Sequence, residues 1–285
     1  MAPVAADLAI VAVKAYDTDG AIETLRRALP ADSEATILTP QNGVGNEERL
    51  AAAFGADRIV SGALTVPVER TADRRIVAAN RGGLGLAPVG SSAHNWLVAT
   101  FARTAIPVWV VADYRAMKWS KLALNIVANA SCAILDVLPE RLVRLAGMFE
   151  LELRGIREAQ AVMQAQGLAA VPLPRYPIRA LFAAAALPEP IARALLSRRI
   201  AGARGRKPPS LLLDLRAGRG RTEGEALSGA VAAAGAAHGI ATPVNATYAR
   251  LLEQIAREPA QWERYRERPG VLLAAVEAEA AAASK

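Results

Sequence analysis

The chain has 285 residues, 53% of them apolar, which is long enough for two domains with proper cores and too hydrophobic for a disordered chain. No apolar run approaches the roughly 18 residues that span a bilayer, and residues 1–7 lack the basic and apolar regions of a secretory signal, so a cytoplasmic protein is expected. The single cysteine, Cys132, excludes an internal disulfide framework, and with only His94 and His238 there is no His/Cys cluster spaced to hold a metal.

Residues 7–14, from Asp7 through Leu-Ala-Ile-Val-Ala-Val to Lys14, form a short apolar run without alternation, the mark of a strand covered on both faces in a parallel sheet. An amphipathic helix over 17–29, closed by Pro30, leads to a second buried strand at 35–39 and then to Pro40-Gln-Asn-Gly-Val-Gly-Asn46. A helix over 47–54 and a strand over 58–65 complete a β, α, β, α, β order, which argues for a doubly wound α/β sheet with ligands beyond the carboxyl ends of its strands. Lys14 and Asn42 both stand at such ends, although Lys14 is equally an ordinary strand-end charge and Asn42-Gly43 equally a tight turn. Gly43-Val-Gly45 is not a dinucleotide fingerprint, because Glu48 occupies the place of the third glycine. Residues 75–90 read as a β-hairpin or a pair of antiparallel strands around Gly82-Gly83, 91–104 as a helix capped by serines, and 107–111 as one more strand.

After Asp113 the pattern changes to helix, over 114–135, 139–167, 178–199, 209–216, 223–238 and 244–257, so the chain divides into domains 1–112 and 113–285. In the first of these helices Lys121, Asn125 and Asn129 follow at i, i+4 and i+8, a polar stripe of about 12 Å on an otherwise apolar helix. A lone asparagine can bond a neighbouring loop and a lone lysine can snorkel, but three in line each need a partner or a wet cavity. The stripe therefore reads as the wall of an active site.

The formal charge of +7 raises the question of nucleic acid, as do the clusters Arg198, Arg199, Arg204, Arg206, Lys207 and Arg216, Arg219, Arg221. These clusters contain no aromatic residue, and a solvated face is the preferred reading, with a phosphate-bearing cofactor second and no nucleic-acid partner and no membrane expected. Residues 202–209 form a loop, and the Ala/Glu-rich tail after Gly270 is either a helix or frayed.

Five motifs then combine. Asp7-Leu-Ala-Ile-Val-Ala-Val-Lys14-Ala-Tyr, Gln41-Asn42-Gly-Val-Gly-Asn-Glu-Glu, Lys121-x3-Asn125-x3-Asn129, Pro-Ser210-Leu-Leu-Leu-Asp214 and Gly-Arg-Thr222-Glu223 occur in that order, and together they resemble the ketopantoate reductase (2-dehydropantoate 2-reductase) family over residues 7–255. The resemblance implies α/β plus all-α architecture: a Rossmann-type parallel sheet, followed by a helical domain of the 6-phosphogluconate dehydrogenase C-terminal type. It implies reduction of ketopantoate or a similar 2-keto acid by NADPH, as in pantothenate biosynthesis, with the substrate in a cleft between the domains. Lys121 matches the family's proton donor, a role suited to an ammonium whose pKa is lowered in a partly desolvated cleft. Asn125, Asn129 and Ser210 match substrate-binding groups, Asn42 a residue touching both substrate and cofactor, and Lys14 and Glu223 cofactor contacts. Read without the resemblance, Ser210 is first of all an N-cap, and Glu223 is equally an exposed carboxylate at a helix start. Asp214 reads as structural.

The family's opening strand and G-x-G-x-x-G turn have no counterpart here, so the sheet is expected to be N-terminally truncated, lacking on the order of 60 residues or two βαβ-sized pieces. Pro139 and Ser228 also depart from residues that relatives often carry. The strand at 8–13 should then be an uncovered apolar edge, open to pairing with another chain, and a homodimer is among the implied states. Weak NADPH binding and slow turnover are expected of such a chain. Three readings stay open: a reductase whose start is misplaced, a non-catalytic remnant that associates through its helical domain and sheet edge, and a basic nucleic-acid-binding protein whose binding would fall steeply with salt.

Overall fold

The computed structural model describes residues 3–71, 73–79, 81–174, 176–202 and 207–283. The chain divides into two compact units, Met1–Lys121 with Ala170–Ile178, and Leu122–Ala169 with Arg179–Lys285.

The first unit holds a five-stranded sheet built from β1 (Leu8–Ile10), β2 (Thr36–Thr39), β3 (Ile59–Leu64), β6 (Leu84–Pro88) and β7 (Val108–Val110), in that spatial order. Its helices are α1 (Thr18–Ala28), α2 (Asn46–Phe54) and α3 (Asn95–Ala102). The sheet is parallel except where β6 runs antiparallel to β3. Adjacent residues of its strands point to opposite faces, so both faces must be apolar. Ile37 and Ile59 pack with Val11, Ile22 and Leu50 on the α1/α2 side, while Leu38 and Val60 pack with Leu84, Leu86 and Leu97 on the other. This two-sided burial explains the apolar runs of β2 and β3; β1, expected to be covered on both faces, instead lies at the sheet edge with Ile10 exposed.

Two local expectations fail for identifiable reasons. Gly82-Gly83 is not a hairpin turn: the preceding strands, β4 (Val68–Arg70) and β5 (Ile76–Ala78), pair with each other, and β6 pairs with β3. Gly82 instead has φ +90 where a Cβ would collide with the Thr65 backbone, and Gly83 exchanges bonds with Thr65 through N to Oγ1 at 2.9 Å and O to N at 2.8 Å. Nor do the serines cap α3. Ser91 and Ser92 donate their N–H groups to Asp57 Oδ1 at 2.7 and 3.2 Å, and α3 starts after His94.

Helix α4 (Tyr114–Ile126) begins in the first unit and ends in the second. Next come α5 (Ala130–Leu135), α6 (Pro139–Leu142), α7 (Met148–Ala165), α8 (Ile178–Ala185), α9 (Glu189–Gly202) and α10 (Ser210–Arg216). A π-helical turn at Glu225–Gly229 precedes α11 (Ala230–Ala237), α12 (Pro243–Arg257) and α13 (Pro269–Ala283). The Ala-rich tail is thus a helix, anchored by buried Leu272 and Val276. Residues 203–206, with Arg204 and Arg206 of the basic cluster, lie outside the described residues. Arg216 and Arg219 are paired with Asp136 at 2.7 Å and Asp214 at 3.2 Å. No helix among the described residues is long and apolar enough to cross a membrane.

The expected single helix over 114–135 is broken. Ala128 has φ +48, and α5 restarts after Asn129. A left-handed alanine is costly and persists only when its surroundings hold it. Glu152 of α7, itself 4% exposed, accepts the Ala128 N–H at 2.5 Å and the Ser131 hydroxyl at 2.6 Å. Burial first, and then the charge of Glu152, pushes the Tyr248 hydroxyl beside it well above the usual tyrosine value. It stays protonated, and its Oη lies 3.4 Å from Glu152 Oε1.

Glu158 of α7 starts α12 in a similar way, accepting the Val244 and Asn245 N–H groups at 2.8 and 2.9 Å and Asn245 Nδ2 at 2.7 Å. Burial raises its carboxyl above the ordinary value of 4.5 despite these donors. A carboxyl whose pKa is higher when folded favours the native state at low pH and loses that contribution as pH rises through the folded pKa. The melting temperature of the native chain relative to Glu158→Gln should therefore fall as pH rises above 4.5. Calorimetry on both proteins, from that pH to about neutrality, would refute this with a constant difference.

Candidate active site

In the first unit the functional candidates gather at the carboxyl edge of three adjacent parallel strands, where open α/β sheets take their ligands. Lys14 follows β1 and Asn42 follows β2, and both are half-buried. Lys121, also half-buried, donates from Nζ to the carbonyl of Leu64, the last residue of β3, at 2.6 Å. The sequence placed Lys14 and Asn42 at strand ends; the sheet makes those ends neighbours.

A buried polar network that the sequence reading missed underlies this edge. Lys118, one turn before Lys121 on α4, is 2% exposed; its Nζ donates to Gln41 O and lies 3.0 Å from Glu47 Oε1. Ser61 Oγ of β3 donates to the same Glu47 oxygen at 2.7 Å. Gln41 Nε2 donates to Val13 O at 3.0 Å and Thr18 Oγ1 at 2.9 Å, and Gln41 Oε1 accepts from Thr39 Oγ1 at 2.9 Å. Glu47 reads in the sequence as an ordinary acidic residue in a first helical turn, but it is 1% exposed. The available signal was a second lysine at i+3 spacing on a helix too apolar to be exposed. At the start of α4, burial and then the adjacent Glu48 push the Tyr114 hydroxyl up to about 12, so it remains a donor to Glu48 Oε1 at 3.1 Å.

The second unit contains Asn125, Asn129, Ser210 and Glu223. The break at Ala128 removes Asn129 from the expected i+8 stripe and turns it toward α10. Asn129 is 1% exposed: its Nδ2 donates to Asn125 O at 2.9 Å and lies 3.4 Å from Ser210 Oγ, while its Oδ1 accepts the Leu211 N–H at 3.2 Å. One carboxamide thus ties the end of α4 to the start of α10 and brings Asn125, Asn129 and Ser210 together. Glu223 is 5% exposed, so it is not a solvent-facing carboxylate at a helix start. Among the described residues no group of three or more His, Cys, Asp or Glu side chains is placed to hold a metal.

Comparison with known proteins gives this arrangement a context. The family model described as ketopantoate reductase PanE/ApbA matches residues 3–90, and its C-terminal counterpart matches residues 113–256. The chain belongs to the ketopantoate reductase family. It is 31% identical to 2-dehydropantoate 2-reductase from Caulobacter vibrioides, over 90% of this chain and 79% of that one. It is 30% identical to the enzyme of that name from Halobacterium salinarum, over 89% of this chain and 77% of that one. The crystal structure of a PanE/ApbA family ketopantoate reductase from Ralstonia eutropha JMP134 superposes with a TM-score of 0.72 at 29% identity, covering 90% of this chain and 77% of that one. Within the ketopantoate reductase match, Lys14 and Asn42 fall in the first matched segment, and Lys121, Asn125, Asn129, Ser210 and Glu223 in the second.

The bonds of Asn129 predict a structural cost. Asn129→Leu removes partners from buried polar groups, at about 1–3 kcal/mol for each group left unsatisfied. The substitution should lower the melting temperature by several degrees, as read by calorimetry. Equal melting temperatures for Asn129→Leu and the native chain would disprove the bridge.

Proposed function

We propose that this protein reduces ketopantoate, or a 2-keto acid of the same kind, to the 2-hydroxy acid, using a nicotinamide cofactor and NADPH in preference to NADH. The observation that carries the reading is the placement of Lys121. Its ammonium is held by the Leu64 carbonyl at the carboxyl edge of β3, beside strand ends that carry Asn42 and Lys14. Family membership and the 31% identity to a named 2-dehydropantoate 2-reductase support the choice of substrate.

The residues present suit the reactive end of a dinucleotide. Lys14 offers a half-buried cation and Asn42 a carboxamide, past adjoining parallel strands. The N-terminus of α2 is less suited to phosphate, since Glu47 and Glu48 already place negative charge in its first turn. Lys14, Asn42 and Glu223 would hold the cofactor, which when bound supplies the hydride that adds to the ketone carbon. As that C–H bond forms, the carbonyl π electrons move onto oxygen. Lys121 meets the growing charge and gives up a proton to form the O–H bond, and the resulting amine regains its proton from solvent. Asn125, Asn129 and Ser210 supply neutral polar groups for the substrate's carboxylate and hydroxyl, and Asn42 contacts substrate and cofactor together.

Lys121→Met should lower kcat about 10²- to 10⁴-fold, the usual range for losing a positioned acid, with little change in substrate KM. Asn125→Ala should instead mainly raise the KM for ketopantoate. Both follow from the ketopantoate-dependent loss of NADPH absorbance. No such loss with the native chain would sink the reading, and an equal kcat/KM with NADH would sink the cofactor preference.

A further inference from the structure

The two lysines on α4 serve different strand ends. Lys121 reaches the end of β3, and Lys118 reaches Gln41 just past β2. Because the Gln41 carbonyl and the Asn42 N–H belong to one planar peptide unit, aiming that carbonyl fixes the plane from which Asn42 leaves. On its other side, Asn42 O accepts from Asn46 Nδ2 at 3.2 Å. Both peptide planes flanking Asn42 are thus held, which sets the direction of its side chain. The same device extends to Lys14: the preceding carbonyl, Val13 O, accepts from Gln41 Nε2 at 3.0 Å.

A buried ion pair is a poor way to gain stability, because apolar residues of equal volume often serve as well. Lys118 and Glu47 are 2% and 1% exposed, yet they carry full charges into this interior. What an apolar pair could not supply is a charge-assisted bond directed at one backbone carbonyl. We infer that Lys118 and Glu47 are positioning residues that aim Asn42, and through Gln41 the backbone at Lys14, toward bound cofactor and keto acid. The consequence for turnover rests on the reductase reading above; the hold on the loop does not.

The test uses the full chain with Lys118→Met and Glu47→Gln. Amide hydrogen exchange over residues 40–46 should speed by about tenfold or more in Lys118→Met, with the strands of the first unit and the second unit unchanged. KM for NADPH and for ketopantoate should rise about tenfold while kcat stays within about threefold, since Lys121 is intact. Glu47→Gln, which keeps the size and an oxygen for Ser61, should move exchange and KM in the same direction by a smaller factor. Should Lys118→Met fail to fold, Glu47→Gln carries both measurements. Unchanged exchange at 40–46, loosening spread evenly through the first unit, or a loss in kcat alone would each overturn the inference. If the native chain oxidises no NADPH with ketopantoate, the reductase reading fails, and the exchange measurement still decides whether the ion pair holds the loop.

Discussion

An ammonium group cannot enter an apolar interior without an anion and hydrogen-bond acceptors to replace its water, and Lys118 satisfies this requirement in one place. The requirement orders the whole carboxyl edge. Glu47 must sit at the start of α2, facing inward, and Ser61 must meet it from β3. The loop from Gln41 to Asn46 must then bend sharply between them, through Gly43 at φ +82 and Gly45 at φ +91, conformations that glycine adopts without penalty. Two successive parallel strands, the turn between β2 and α2, and α4 are locked in one arrangement by a single buried charge and its partners.

The second unit meets a comparable demand with a carboxylate. Glu152 on α7 stabilises the break between α4 and α5, and the break frees Asn129 to bridge to α10. Had the helix run on without interruption, Asn125 and Asn129 would have stacked on one face and Ser210 would have lost its connection to them. The irregular backbone is therefore what assembles the polar groups of this unit, a common use of local strain.

How much of this was legible from the sequence depends on the range of the interaction. Residues 35–39 announced a buried parallel strand because two-sided burial leaves its mark on the strand itself, whereas the equally apolar run at 7–14 is a three-residue edge strand with Ile10 exposed, because no neighbouring strand covers it; Lys14 and Asn42 follow these two strands, as the sequence suggested. The family motifs pointed to Lys121, Asn125, Asn129 and Ser210. The break at Ala128 was invisible: alanine is the best helix former, and what opposes its preference is a carboxylate 24 residues away in the sequence. Lys118 was hidden by the same kind of distance, since its partners Gln41 and Glu47 lie on another element and each looked ordinary alone. Ser91 and Ser92 misled for a related reason, because Asp57 supplied an acceptor that no local rule could anticipate.

Strand β1 lies at one edge of the sheet, its own Ile10 53% exposed and Val13, just beyond its end, 41% exposed. It is only three residues long and is followed by Lys14, and the exposed Asp7 precedes it. Short edges fenced by charge are a common safeguard against indiscriminate stacking of chains. A polypeptide added alongside would find room for few ladder bonds and would have to match an acidic and a basic neighbour at the two ends. The fringe of this sheet is therefore a poor template: its brevity and its flanking charges limit how far any ladder could be continued.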